Sequence, residues 1–455
     1  MRIASLLLAA VLMLATGLPA RAVEVQQVTS PGGITAWLVE DHSNPILSLD
    51  LAFVGGAVLD PEGQEGLSYL VSGLIDEGAG ELDSQAFQET LNNLSITLSF
   101  DAGLEAFQGR LRTLTENRQT AFDLLRLALT KPRFDEEPVE RIRSQILVQL
   151  AQESENPNVI ARRALRELMF PGHPYSRQAH GTPESIRAIG VDDMRRFVAE
   201  RFARDALMVA VVGDVTAEEL GPLLDYAFLA LPAEAAPFDL PEVEPQGKGQ
   251  VLVIERNLPQ SVIAFGQGGP KRDDPDFYAA YVANHILGGG GFSSRLYAEV
   301  RDKRGLAYSV FSYLNPLERS ALVMGGVATA NERAGESLSV IRDEWARMGV
   351  AGPTAEEIDD AKTYLTGSYP LRFSSTGEIA GTLLGIQLDD LGIDYVNIRN
   401  DLVDAVTAED AQRVARELFR AEDLTVVIVG RPDGVVSQKA ATDENGAADS
   451  PANGG

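Results

Sequence analysis

The sequence predicts an α+β fold built twice over, and three observations carry that prediction. A gapless duplication joins the ends of the two halves, a looser match joins their beginnings, and a stretch without apolar periodicity separates them. The two ends read AIGVDDMRRFVAERFARDALMVAVVGD and AVTAEDAQRVARELFRAEDLTVVIVGR. Gly213 corresponds to Gly430, Phe202 to Phe419 and Arg196 to Arg413, all at one offset. Self-similarity at a fixed offset marks a repeated structural unit. In each copy an acidic pair, Asp192-Asp193 or Glu409-Asp410, is expected to cap an amphipathic helix, and a β-branched run closing on glycine follows it as a buried strand. The beginnings, SLDLAFVGG at 48–56 and SVIAFGQGG at 261–269, both read as a strand ending in a glycine pair. Helices expected near 136–153 and 355–369 also correspond by position. Each half therefore runs strands, helices, strands, helix, strand.

Taken in order, residues 1–22 read as a signal peptide: Arg2, an apolar run over 3–15, then Ala20-Arg21-Ala22 as an A-x-A cleavage site. That run is short for a membrane span, so an exported, periplasmic chain without a membrane anchor is expected. The first repeat occupies 23–231. Residues 232–249, PAEAAPFDLPEVEPQGKG, are rich in proline, alanine and acid and form the linker. The second repeat occupies 250–434. The remaining 435–455 lack the apolar residues to bury anything and are expected to be disordered.

A formal net charge of −27 disfavours nucleic acid, whose binding depends on Lys and Arg displacing counterions, and an anionic membrane surface equally. The chain has no cysteine, which excludes disulfides, thiolate catalysis and Cys-based zinc sites.

Shortly after the first glycine pair stands GLSYLVSG, and about eighty residues on stands QILVQLAQESENP. With the duplication, these segments resemble the insulinase/pitrilysin metallopeptidase family, whose first repeat carries an inverted zinc motif, H-x-x-E-H, on a helix introduced by Gly-Leu. The resemblance implies two repeats, each a mainly antiparallel sheet with helices packed on it, the mitochondrial-processing-peptidase/LuxS-like metallohydrolase fold. It also puts Tyr69 where the first zinc-binding His would stand, Ser72 where the catalytic Glu would stand and Gly73 where the second His would stand. Gln149, eight before Pro157, takes the place of the third ligand, a Glu. Zinc requires carboxylate, imidazole or thiolate ligands, and a phenol, a glycine and an amide do not supply them. No metal or cofactor is therefore expected on this chain. The helices persist, because Leu67, Leu70, Val71 and Leu74 keep an i, i+3, i+4, i+7 stripe, as do Ile142, Ile146, Leu147 and Leu150.

The second repeat contains LGGGGFSSRLYAEVRDKRGLAYSVFSYL at 287–314. Its glycines lack the Lys-Ser/Thr of a phosphate-binding loop and the spacing of a dinucleotide fingerprint. Ser293 or Ser294 can cap a short helix, Glu299 and Lys303 form an i, i+4 pair on it, Gly305 suits its left-handed end, and 306–313 reads as a strand. Arg301 and Tyr308 then fall near one turn. Active members of the family that this segment resembles use an Arg and a Tyr in R-x-x-R-G-L-A-Y to reach a zinc site. By that resemblance Arg301 and Tyr308 are the pair, with Arg304 the neighbouring competitor. A Tyr hydroxyl suits a developing oxyanion and an Arg fork suits a peptide main chain.

The resemblance implies the zinc-free subunit of a heterodimeric peptidase. Arg301 and Tyr308 would act in trans at a paralogous partner that has H-x-x-E-H and holds the zinc, on peptide or unfolded protein added as a strand to a sheet edge. A catalytically inert peptide-binding or scaffold protein of the cell envelope is the alternative. A self-sufficient hydrolase using His173 and His180 with a nearby carboxylate is the second, although both histidines read as part of a structural turn. His42 and His285 read as surface or core residues.

Overall fold

A computed structural model describes residues 23–438. The expected signal peptide and residues 439–455 of the expected tail lie outside the described residues. Eleven strands among them form two sheets. The first contains β1 (Gln26–Thr29), β2 (Thr35–Glu40), β3 (Ile46–Val54), β4 (Thr97–Ala102), β5 (Ala106–Leu114) and β6 (Leu207–Gly213), in the order β1-β2-β6-β3-β5-β4. The second contains β7 (Val251–Glu255), β8 (Gln260–Gly268), β9 (Ala307–Leu317), β10 (Ser320–Ala330) and β11 (Thr425–Gly430), in the order β7-β11-β8-β10-β9. Apart from β1 the two orders superimpose strand for strand. In both, only the pairing of the last strand of the repeat with its early neighbour, β6 with β2 and β11 with β7, is parallel.

The central strands read as continuous apolar runs, LMVAVVG in β6 and TVVIVG in β11, because they are covered on both faces. One face of each sheet carries its own repeat's helices. The other is covered by a helix of the opposite repeat. Pro157–Met169, started by Asn156 with Pro157 in the first turn, lays Ala161, Ala164 and Leu165 on β8 and β11. Thr376–Leu388 lays Ala380, Leu383 and Leu384 on β3 and β6. Each fully buried leucine there contributes about 1.5–3 kcal/mol. The Ser48 and Thr376 hydroxyls meet at 2.9 Å across the second contact. The Tyr175 hydroxyl donates to Glu105 and accepts from the Arg319 N–H, tying the β4–β5 turn to the β9–β10 turn.

Three expectations need correction. The acidic pairs sit inside the first turns of Val191–Arg201 and Ala408–Leu418, where they favour the helix dipole, while the caps are Gly190 and Thr407. The helix that begins at Leu67 stops at Ser72, so Leu74 is buried beyond its end. Residues 435–438, expected to be disordered, are placed by a backbone bridge between Gln438 and Val251 that caps the open edge of β7.

Candidate functional site

A loop after β3 is locked by one buried carboxylate. Asp60 accepts from the Gly66 N–H at 2.8 Å and the Ser68 N–H at 3.0 Å, satisfying donors at the start of the Leu67–Ser72 helix. Gly66 sits at φ +87°, and a Cβ there would lie 2.7 Å from the His180 carbonyl oxygen. Only glycine allows that approach, and it fixes the 173–182 loop against the helix. Leu67, Leu70 and Val71 are buried in the core, and Tyr69, half-buried, packs against its edge.

Tyr69 meets Gln149 from the Glu136–Glu155 helix: its hydroxyl donates to the amide oxygen at 2.9 Å. The Gln149 amide nitrogen donates to Glu153 at 2.8 Å, and the His180 Nδ1 faces Glu153 at 2.9 Å. The His180 ring stacks on Tyr69 with centroids 4.2 Å apart. The Ser72 hydroxyl donates back to the Tyr69 carbonyl oxygen, and Gly73 leaves its space to Ile142. The structure thus brings Tyr69 and Gln149 together but gives them donors that do not fit zinc. The Tyr69 hydroxyl is used on Gln149 and the Gln149 amide on Tyr69 and Glu153, Gly73 offers no side chain, and His180 with Glu153 is a set of two. Among the described residues no three His, Asp or Glu side chains are grouped for a metal.

Sequence reasoning missed Glu153, and it read His180 as part of a structural turn with His173 rather than as a ring against Tyr69. Glu153 lies four residues after Gln149 on one helical face, a usable signal. His180 reaches the site only because Gly66 lets its loop approach. His173 is elsewhere, with its Nε2 at 3.1 Å from the Pro241 carbonyl oxygen and its Nδ1 accepting from the Tyr175 N–H, and burial lowers its pKa. His42 faces Asp214 at the surface, and His285 is buried against Tyr364.

In the second repeat Ser294 starts a short helix, Arg295–Tyr297, which widens over Ala298–Asp302 as the Lys303 N–H reaches the Ala298 carbonyl. Gly305 at φ +58° ends it and turns the chain into β9. Arg301 stands 4.4 Å over the Tyr308 ring and donates to the Tyr308 carbonyl oxygen at 3.1 Å. Tyr297 holds the guanidinium from below, at 4.8 Å from its ring centroid. Tyr308 is 81% exposed and its hydroxyl has no partner among the described residues. Arg304, the competitor, is engaged by Glu299, which Lys303 also pairs at 2.6 Å. The hydrogen bonds from Lys303 and then Arg304 lower the Glu299 pKa.

The two places face one cleft between the repeats. A cavity of about 410 Å³ is lined by Glu153 and His180, and one of about 870 Å³ by Tyr308. Arg162, Tyr313 and Met324 line both. No helix among the described residues is long and apolar enough to cross a membrane.

Comparison with known proteins agrees with this arrangement. Residues 36–183 match the family described as Insulinase (Peptidase family M16), and residues 188–365 match the Peptidase M16 inactive domain. The chain is 28% identical over 414 residues to a non-peptidase homolog YmxG of Helicobacter pylori, covering 91% of this chain and 95% of the relative. It is 23% identical over 398 residues to the mitochondrial-processing peptidase subunit beta of Lentinula edodes, covering 84% of each. Among solved structures, a peptidase M16 inactive domain from Pseudomonas fluorescens superimposes with a TM-score of 0.84 at 29% identity, over 91% of this chain and 100% of that one. A protease from Helicobacter pylori has the same fold, with a TM-score of 0.81 at 18% identity over 89% and 99%.

Proposed function

This chain belongs to the insulinase family, peptidase M16, and on that premise we propose that it is the zinc-free subunit of a two-chain peptidase, lending Arg301 and Tyr308 to a zinc-bearing partner. One observation carries the reading. Arg301 holds Tyr308 in place through ring and main chain, yet the phenol hydroxyl has no partner within the described residues and projects into solvent. A large side chain fixed at its base and free at its polar tip is arranged to act on something outside the chain. The cation–π contact is worth about 0.5–1 kcal/mol at such an exposed position, enough to bias one rotamer.

The partner would be a paralogue with H-x-x-E-H, holding zinc that polarises a peptide carbonyl. The Tyr308 hydroxyl would donate to the oxyanion as it forms, and the Arg301 fork would hold the peptide main chain. Peptide or unfolded protein would lie extended in the cleft, and the pair would work in the periplasm after removal of residues 1–22. Purified separately and then mixed, the two chains test this: peptide cleavage that needs both, and that a chelator stops, is the expected result. Chelator-sensitive cleavage by this chain alone, free of contaminating peptidase, would overturn it.

An inert peptide-binding or scaffold protein is the second reading, favoured by the Tyr69–Gln149 hydrogen bond that closes the metal position. It separates from the first by the rate effect of Tyr308→Phe in the mixture.

A further inference from the structure

The cleft beside the altered metal positions carries the wrong charge for a cation. Arg162, Arg163, Arg166 and Arg177 line it against a single carboxylate, Glu153, which already faces His180. Arg163 pairs with Glu167 at 3.0 Å, and Arg177 donates to the Asp60 carbonyl oxygen at 3.0 Å. Arg162 and Arg166 make no side-chain hydrogen bond or ion pair among the described residues. They stand one turn apart on the Pro157–Met169 helix. Arg166 is half-buried, and burial, then the like charge of Arg162, lowers its pKa. Acids outnumber bases 66 to 39 in this chain, so adjacent arginines without acids are a local feature that its composition does not produce.

Shape adds a second constraint. Arg162 also lines the larger cavity, whose floor is the face of β8 and β10 where Ala264, Gly326 and Ala328 leave room above the sheet. Phe311, 47% exposed, stands beside it on β9. A ligand filling both cavities is elongated, has an anionic group at the arginine end and rests on small and aromatic side chains along its length.

We propose that this cleft binds an extended peptide with carboxylate side chains, one carboxylate being received by Arg162 and Arg166. The guanidinium fork matches a carboxylate in two parallel hydrogen bonds, and the anion relieves the repulsion between the two arginines. The proposal rests on the peptide-binding reading above and adds the substrate class. The overall negative charge of the chain opposes approach little, because salt screens charges beyond about 8 Å at physiological ionic strength and leaves the nearby arginines to set the field in the cleft.

The test uses the mature chain alone, with neither partner nor metal, so its outcome is separate from that of the catalytic proposal. Fluorescence anisotropy of a labelled Ala-Glu repeat peptide is compared with its Ala-Gln isostere. The acidic peptide is expected to bind at least about tenfold more tightly, and Arg162→Gln and Arg166→Gln each to remove most of that difference. Free glutamate at millimolar concentration is expected not to displace it. Equal affinity for the two peptides, full displacement by free glutamate, or unchanged binding by a folded Arg162→Gln chain would each overturn the proposal. Arg162 is exposed, so its variant decides the matter even if Arg166→Gln does not fold.

Discussion

The Tyr69 hydroxyl donates to the Gln149 amide oxygen across 2.9 Å, so two side chains that the family resemblance assigns to metal-ligand positions are hydrogen-bonded directly to each other. Replacing Tyr69→His, Gly73→His and Gln149→Glu together is expected to give a chain that retains about one zinc after dialysis, because three ligands of suitable type then converge. Gln149→Glu alone is expected to retain none. Gly73 has φ −82°, which any residue accepts, but a Cβ there lies 3.2 Å from Ile142. The added histidine should therefore lower stability by about 1–3 kcal/mol. Metal analysis reads the first result and denaturant unfolding the second; equal zinc in the unaltered chain would contradict the first, and an unchanged unfolding midpoint the second.

Tyr308→Phe deletes one exposed hydroxyl. In the mixture with a zinc-bearing partner, kcat should fall about 100-fold or more, the effect of losing one oxyanion donor, with little change in KM. The isolated chain should keep its stability within about 0.5 kcal/mol. Arg301→Lys keeps the charge but loses the fork, and is expected to raise KM. Rates unchanged by both substitutions would favour the scaffold reading.

Burial pushes the Asp60 carboxyl up to about 7, while the Ser68 and Gly66 N–H groups oppose the shift. Between about pH 4 and about pH 7 the folded chain then holds a proton that the unfolded chain has released, so this group lowers stability progressively as pH rises through that window. The full effect has an upper bound of about 4 kcal/mol. Thermal melts of the protein and of Asp60→Asn from about pH 5 to pH 8 should show the shallower slope in the variant. Identical slopes would remove Asp60 as the cause.

Glu357 behaves in the opposite sense. Burial alone would raise its pKa, but the Arg295 fork, at 2.6 Å to each oxygen, and the Thr354 N–H hold it down to about 2. Its stabilising contribution is present above about pH 4.5 and is lost as pH falls through about 2. Glu357→Gln should cost about 1.5–3 kcal/mol at neutral pH, and the gap from the unaltered chain should close in strong acid. Denaturant titrations at the two pH values measure it.

The duplication was legible because Gly213 and Gly430 close equivalent buried strands, and burial on both faces leaves a run of β-branched residues that survives as a pattern. The meeting of Tyr69 with Gln149 was legible only through the family resemblance, which assigns both to one site; helix spacing alone gives the face each stands on. His180 was not, since it arrives through a loop whose approach depends on the backbone of Gly66. The exchange of helices was also hidden: the stripe holding Leu165 or Leu383 says that a helix is buried, and nothing in it says on which sheet. Thr407 was overlooked as a cap because the adjacent acids dominate the local charge, although its hydroxyl accepts from the Asp410 N–H at 3.1 Å.

Helices lent reciprocally between the repeats make the linker a poor place to divide the protein. Cut there, each fragment would keep its own sheet but lose its lid, baring Val262 and Val427 in one and Ala52 and Val212 in the other. Such fragments should clump when made singly and reassemble when made together, with the tether dispensable and neither fragment so.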